Sequence, residues 1–71
     1  MAEQVKAELV ANVIQILVAA GDDVAAGQAV VVLESMKMEI PVLAENGGTV
    51  AEIRVTEGDV VQEGDVLVVL A

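Results

Sequence analysis

At 71 residues the chain has room for one domain, and a chain of this size buries only about 60% of its unfolded surface, so stability is modest unless the core is well filled. Cys and His are both absent, which removes disulfides, the usual zinc, copper or haem ligands, and every nucleophilic triad or Cys/His pair, so neither a catalytic site nor a metal site is expected. A formal net charge of −9 with no aromatic residue repels phosphate backbones and offers bases nothing to stack on, so nucleic acid is not an expected partner.

Apolar runs such as Ala29 to Leu33 are far too short to span a membrane, and the N-terminus lacks the basic-then-apolar layout of a signal peptide. A cytoplasmic protein with no membrane partner is expected. High acidic charge often accompanies disorder, but a Val-rich hydrophobic fraction of 56% is enough to build a core.

In chain order, segments rich in Val, Ile and Thr predict strands over residues 5–10, 12–18, 29–34, 38–43, 49–55 and 66–70, with no convincing helix. Ile53, Arg54 and Val55 alternate as in a half-buried strand, whereas Val30 to Leu33 is continuously apolar, as in a strand covered on both faces. Between them, Gly21-Asp22 and Gly58-Asp59 are read as chain reversals, with Gly27 and Gly64 closing the same loops and Asn46-Gly47-Gly48 as a third turn. None of these glycines leads into a helix, so none is read as a phosphate cradle. The pattern implies a small all-β barrel or sandwich of two sheets.

Residues 5–33 align without gaps on residues 42–70, and 13 of the 29 positions are identical. The clearest block is Gly21-Asp22-x-Val24-x-x-Gly27-x-x-Val30-Val31-Val32-Leu33 against Gly58-Asp59-x-Val61-x-x-Gly64-x-x-Leu67-Val68-Val69-Leu70. Two copies are too few for a solenoid. They predict one domain over 1–71, made of two similar halves related by an approximate two-fold axis. The connector, residues 34–41, reads Glu34-Ser35-Met36-Lys37-Met38-Glu39-Ile40-Pro41. As a hairpin between the halves, it presents Lys37 to solvent, at the end away from the termini.

Met36-Lys37-Met38, centred between two such halves and followed by Ile40-Pro41-Val42-x-Ala44-x-x-Gly47, resembles the biotin acceptor motif of biotin carboxyl carrier domains. The resemblance covers nearly the whole chain. It implies a flattened β-barrel or sandwich of two four-stranded antiparallel sheets, with the acceptor lysine on a tight hairpin turn. It also implies that biotin protein ligase attaches biotin covalently to Lys37, and that biotin carboxylase and carboxyltransferase subunits are partners, in an acyl-CoA carboxylase. The domain would carry and not catalyse.

Ser35 departs from the Ala that many members have before the motif; being small, it should fit the turn. The gapless match of the halves leaves no room for the protruding thumb of some bacterial carriers, and no Pro/Ala-rich tether accompanies the domain, so a free-standing, thumbless domain starting at Met1 is expected.

Bland readings exist for each residue. Lys6, the other lysine, has Leu43 as its equivalent and reads as an ordinary strand or edge residue. Met36 and Met38 are gap-filling core residues or recognition residues, and a hairpin tip favours recognition, because side chains on both sides of the lysine cannot all point inward. Glu34 and Glu39 are a solvated acidic rim by default, with ligase docking as their functional reading, and Ser35 completes the tip. The remaining acids are turn and solubility residues.

Two competitors remain. A lipoyl domain, carrying lipoate, would have the same fold, but lipoyl acceptors usually place an acidic residue before the lysine, as in Asp-Lys-Ala, where this chain has Met36. A free biotinylated protein with a binding or regulatory role is the other.

Overall fold

The computed structural model describes residues 3–71, so Met1 and its reading as the chain start lie outside the described residues. Eight strands follow one another: β1 (Glu3–Lys6), β2 (Ala11–Ile16), β3 (Asp23–Ala25), β4 (Ala29–Ser35), β5 (Met38–Leu43), β6 (Gly47–Ile53), β7 (Val60–Val61) and β8 (Val66–Leu70). They form two four-stranded antiparallel sheets, ordered β1-β8-β6-β3 and β5-β4-β2-β7. This is the all-β, two-sheet architecture the sequence predicts, built as two open sheets face to face.

The strands owe their burial to the period of two: in β2, Ala11 and Val13 are buried while Asn12 and Ile14 are exposed. Val30, Val31 and Leu33 of the first half, with Leu67, Val68 and Leu70 of the second, are 0% exposed and fill the space between the sheets. Among the described residues no polar or charged side chain is buried. Each such Val or Leu contributes about 1.5–3 kcal/mol by leaving water.

The repeat is written into the hydrogen bonding. The ladder between β2 and β4 runs Val13↔Leu33 and then slips to Gln15↔Val32; that between β6 and β8 runs Val50↔Leu70 and slips to Glu52↔Val69. The Ala19 N–H donates to Asp22 Oδ2 at 2.9 Å, and the Thr56 N–H to Asp59 Oδ2 at 2.9 Å. Asp22 and Asp59 thus pin their own turns, as Asp side chains do. The two-fold relation exchanges the sheets, since β1, β8, β6 and β3 correspond to β5, β4, β2 and β7 in order.

Four expectations need correction. The segment expected as a strand over 5–10 leaves the sheet after Lys6, where the ladder shifts register and the Ala7 N–H turns to the Asp65 carbonyl at 2.9 Å. β3 and β7 lie inside what reads as loops; at three and two residues they are too short to show a period, and pairing with β6 and β2 creates them. Gly47 and Gly48 open β6 instead of forming a turn. A side chain at Gly47 would put its Cβ 2.5 Å from the Val24 carbonyl oxygen, so glycine is what lets β3 approach. Finally, Val30 to Leu33 is not a strand covered on both faces. Val30 is the extra residue where the β4/β5 ladder passes from Ala29↔Leu43 to Val31↔Val42, a β-bulge, and Val32 is only half-buried.

Candidate functional site

β4 and β5 share a long ladder, from Ala29↔Leu43 to Ser35↔Met38, and the two residues left between them are Met36 and Lys37. A two-residue hairpin loop must follow the right-handed twist of its strands, and the type I′ turn does so with positive φ at both central residues, a demand normally met by Asn-Gly or Gly-Gly. Here Met36 has φ 54° and Lys37 φ 64°. Non-glycine residues held in the left-handed region cost about 1–3 kcal/mol each and persist where the surrounding structure over-determines them. The over-determination is visible: β4 is anchored by Leu33 and Val31, both 0% exposed, and β2 pairs along its other edge.

Lys37 is exposed, and among the described residues it enters no ion pair and no side-chain hydrogen bond. Met36 is 89% exposed and Met38 59%. Glu34 and Ser35 are half-buried on β4, and Glu39 is exposed on β5, where it is the direct cross-strand partner of Glu34. The structure therefore brings the six residues singled out in the sequence, Glu34, Ser35, Met36, Lys37, Met38 and Glu39, to one hairpin end, and the core-filling reading of the two methionines is not met. Lys6 lies on β1, the edge strand of the other sheet.

Chemically, the tip offers one free primary amine on a short rigid support, flanked by thioethers and carboxylates. The amine is reachable from several directions, which fits covalent attachment of a carboxylic acid through an amide. Among the described residues no group of His, Cys, Asp and Glu is placed to hold a metal ion. Of two surface grooves, the larger runs between the edges of β1 and β5, and Lys37 borders neither. The sequence shows the tip but not the left-handed turn, since neither Met nor Lys signals positive φ.

Residues 3–70 match the family described as biotin-requiring enzyme. The chain is 51% identical over 71 residues to the biotinylated protein TB7.3 homolog of Mycobacterium leprae, covering 100% of both chains. It is 48% identical to the biotin/lipoyl attachment protein of Bacillus subtilis, covering 94% of this chain and 92% of the relative. Among solved structures, the urea carboxylase of Kluyveromyces lactis contains a matching region at a TM-score of 0.93 and 35% identity, which covers 100% of this chain and 6% of that much longer one. The match over 3–70 and a full-length relative carrying biotin in its name agree with the fold and the lysine-tipped hairpin: the chain belongs to the biotinyl/lipoyl attachment family.

Proposed function

We propose that Lys37 is the site of covalent biotin attachment and that the chain is a non-catalytic carrier in a biotin-dependent carboxylase acting on an acyl-CoA. The observation that carries this reading is the placement of an exposed lysine, unpaired among the described residues, on a strained two-residue turn. Biotin protein ligase is the modifying partner: the Lys37 amine attacks the acyl carbon of biotinyl-AMP, an amide forms, AMP departs and the amine gives up its proton. A turn with a fixed backbone suits that step, because only the Lys37 side chain remains to be ordered when the nitrogen is presented. Met36 and Met38 give the ligase an apolar grip on either side, with Ser35, Glu34 and Glu39 behind them. Lys37 would hold biotin at the tip, where the ureido nitrogen would supply a carrier for carboxylate, and biotin carboxylase and carboxyltransferase subunits would be the partners between which the chain moves it. A matching region in a single-chain long-chain acyl-CoA carboxylase, at 35% identity, supports the substrate class.

Lipoate on the same lysine is the second reading, favoured by the name of the Bacillus subtilis relative. Intact mass after incubation with biotin, ATP and biotin protein ligase, beside Lys37→Arg and a parallel lipoate-ligase reaction, tests both. One biotinyl increment, absent from the variant, is the expected result; a lipoyl increment alone would replace biotin, and no increment would sink the reading.

A further inference from the structure

The two sheets are related by the internal repeat, so their outward faces should be alike, and they are not. On the sheet that ends in the Lys37 hairpin, the outward positions include the polar Asn12 and Gln15 and, around them, Ile14, Leu17, Pro41, Leu43 and Val60. The positions of the other sheet aligned with those last five hold Ala51, Arg54, Gln4, Lys6 and Asp23. That second face is conventionally solvated: Arg54 pairs with Glu52 at 3.0 Å, and the Thr49 hydroxyl donates to Asp23 at 3.2 Å. Register makes the first face continuous. Gln15, Val32 and Pro41 form one row across β2, β4 and β5, with Leu17 and Leu43 at its far side and Asn12, Glu34 and Glu39 on the side of the tip. Val60 adjoins Asn12 from β7 and is 68% exposed.

The border of this face is acidic: Glu34 and Glu39 toward the tip, Glu45 after Leu43, and Glu57, whose Oε2 accepts the Ile16 N–H at 3.2 Å. The chain's three basic side chains lie elsewhere, Lys6 and Arg54 on the opposite face and Lys37 at the tip. A second copy would set carboxylate against carboxylate, on a chain of net charge −9. The geometry points to a protein partner with an apolar centre and a Lys/Arg rim, and we infer that this face docks the carrier on its biotin carboxylase subunit while the adjoining tip presents the Lys37 side chain. This rests on the carrier reading above. An apolar centre with a charged rim is what a transient docking patch needs, since the rim steers the encounter and the centre holds it.

The test substitutes Leu17→Arg, Leu43→Lys and Val60→Asp together, giving the face residues that the same fold already carries on its other sheet. Biotinylated wild type and variant are offered to the purified biotin carboxylase subunit of the encoding organism, with ATP and bicarbonate. The expected result is a KM at least tenfold higher for the variant, kcat within twofold, an unchanged rate of biotinylation by the ligase, and a wild-type KM that rises with salt. Equal KM values would overturn the docking face and leave the carrier standing, as would a concentration-dependent dimer in sedimentation that the substitutions abolish. A wild-type chain carboxylated no better than free biotin would also overturn it. Failure of the ligase to modify wild type would instead overturn the function on which the inference rests.

Discussion

Glu34 and Glu39 face each other directly across the hairpin, one residue pair below the Ser35↔Met38 pair that closes the turn. Like charges in opposed positions destabilise an antiparallel pair, typically by a few tenths of a kcal/mol. Under the proposed function, the two carboxylates present negative charge beside Lys37 to the ligase and bear that cost for it. Glu39→Gln is therefore expected to raise stability by about 0.2–1 kcal/mol and to raise the ligase KM severalfold at unchanged kcat. Urea unfolding and ligation kinetics on the same preparations read both effects; a stabilised variant modified at the wild-type KM would make the pair a structural accident.

Met36 stands in the same opposition between fold and function. Its backbone is left-handed at φ 54°, and glycine would adopt that conformation with little strain, so Met36→Gly is expected to leave stability unchanged or to raise it by up to about 1 kcal/mol. The same change removes the thioether and loosens the tip. Ligation should slow at least fivefold in kcat/KM, as measured by intact mass against time. A variant that is both less stable and fully modified would assign Met36 to packing.

Much of this was legible in the residues. The repeat exposed the two-sheet fold and the connector at its middle, because its glycines and valines keep their spacing in both halves, and the connector could then only be a hairpin with Lys37 near its tip. What stayed hidden depends on pairing. β7 is two residues long and exists because Ala11 and Asn12 pair with it. The bulge at Val30 mimics a doubly covered strand, since an extra residue keeps two neighbours buried in succession. The turn type was hidden because Met-Lys carries no left-handed signal; the register Ser35↔Met38 leaves two residues for the loop, and their φ values show the turn. The uneven outer faces were visible as mismatches in the repeat, Lys6 against Leu43 and Arg54 against Leu17, but they became one surface only once strand order was known.

Lys37→Arg and Leu33→Ala separate the tip from the core. Lys37 is solvated and unpaired among the described residues, so its replacement should change stability by less than about 0.5 kcal/mol while abolishing modification. Leu33 is 0% exposed beneath the same hairpin, and truncation to Ala should cost about 2–5 kcal/mol. In so small a chain that loss unfolds a large fraction of molecules and reduces modification indirectly, restored by a stabilising osmolyte. Osmolyte should restore nothing to Lys37→Arg. Rescue of the arginine variant would mean that another amine accepts the label.

Glu3 makes the fold sensitive to acid. Its carboxylate accepts the N–H groups of Glu45 at 2.7 Å, Asn46 at 3.0 Å and Gly47 at 3.2 Å, tying β1 to the turn that leads into β6. The Glu45 N–H is the largest influence, and the three donors together outweigh slight burial and hold the Glu3 carboxyl below the ordinary carboxylate range. A carboxyl whose folded value is depressed binds fewer protons folded than unfolded, so its contribution is fully present above the ordinary value of about 4.3 and is lost as pH falls through the lower folded value. Solvent screens most of the interaction, so the effect is small. Glu3→Gln should thus be less stable than wild type by a constant margin from neutrality down to about pH 5, with the margin shrinking as pH falls below about 4. Urea midpoints across that range measure it, and amide exchange at Glu45, Asn46 and Gly47 should quicken in the variant at neutral pH. A margin that widened on acidification would mean that the carboxylate is disfavoured in the fold, and the clamp would have to be abandoned.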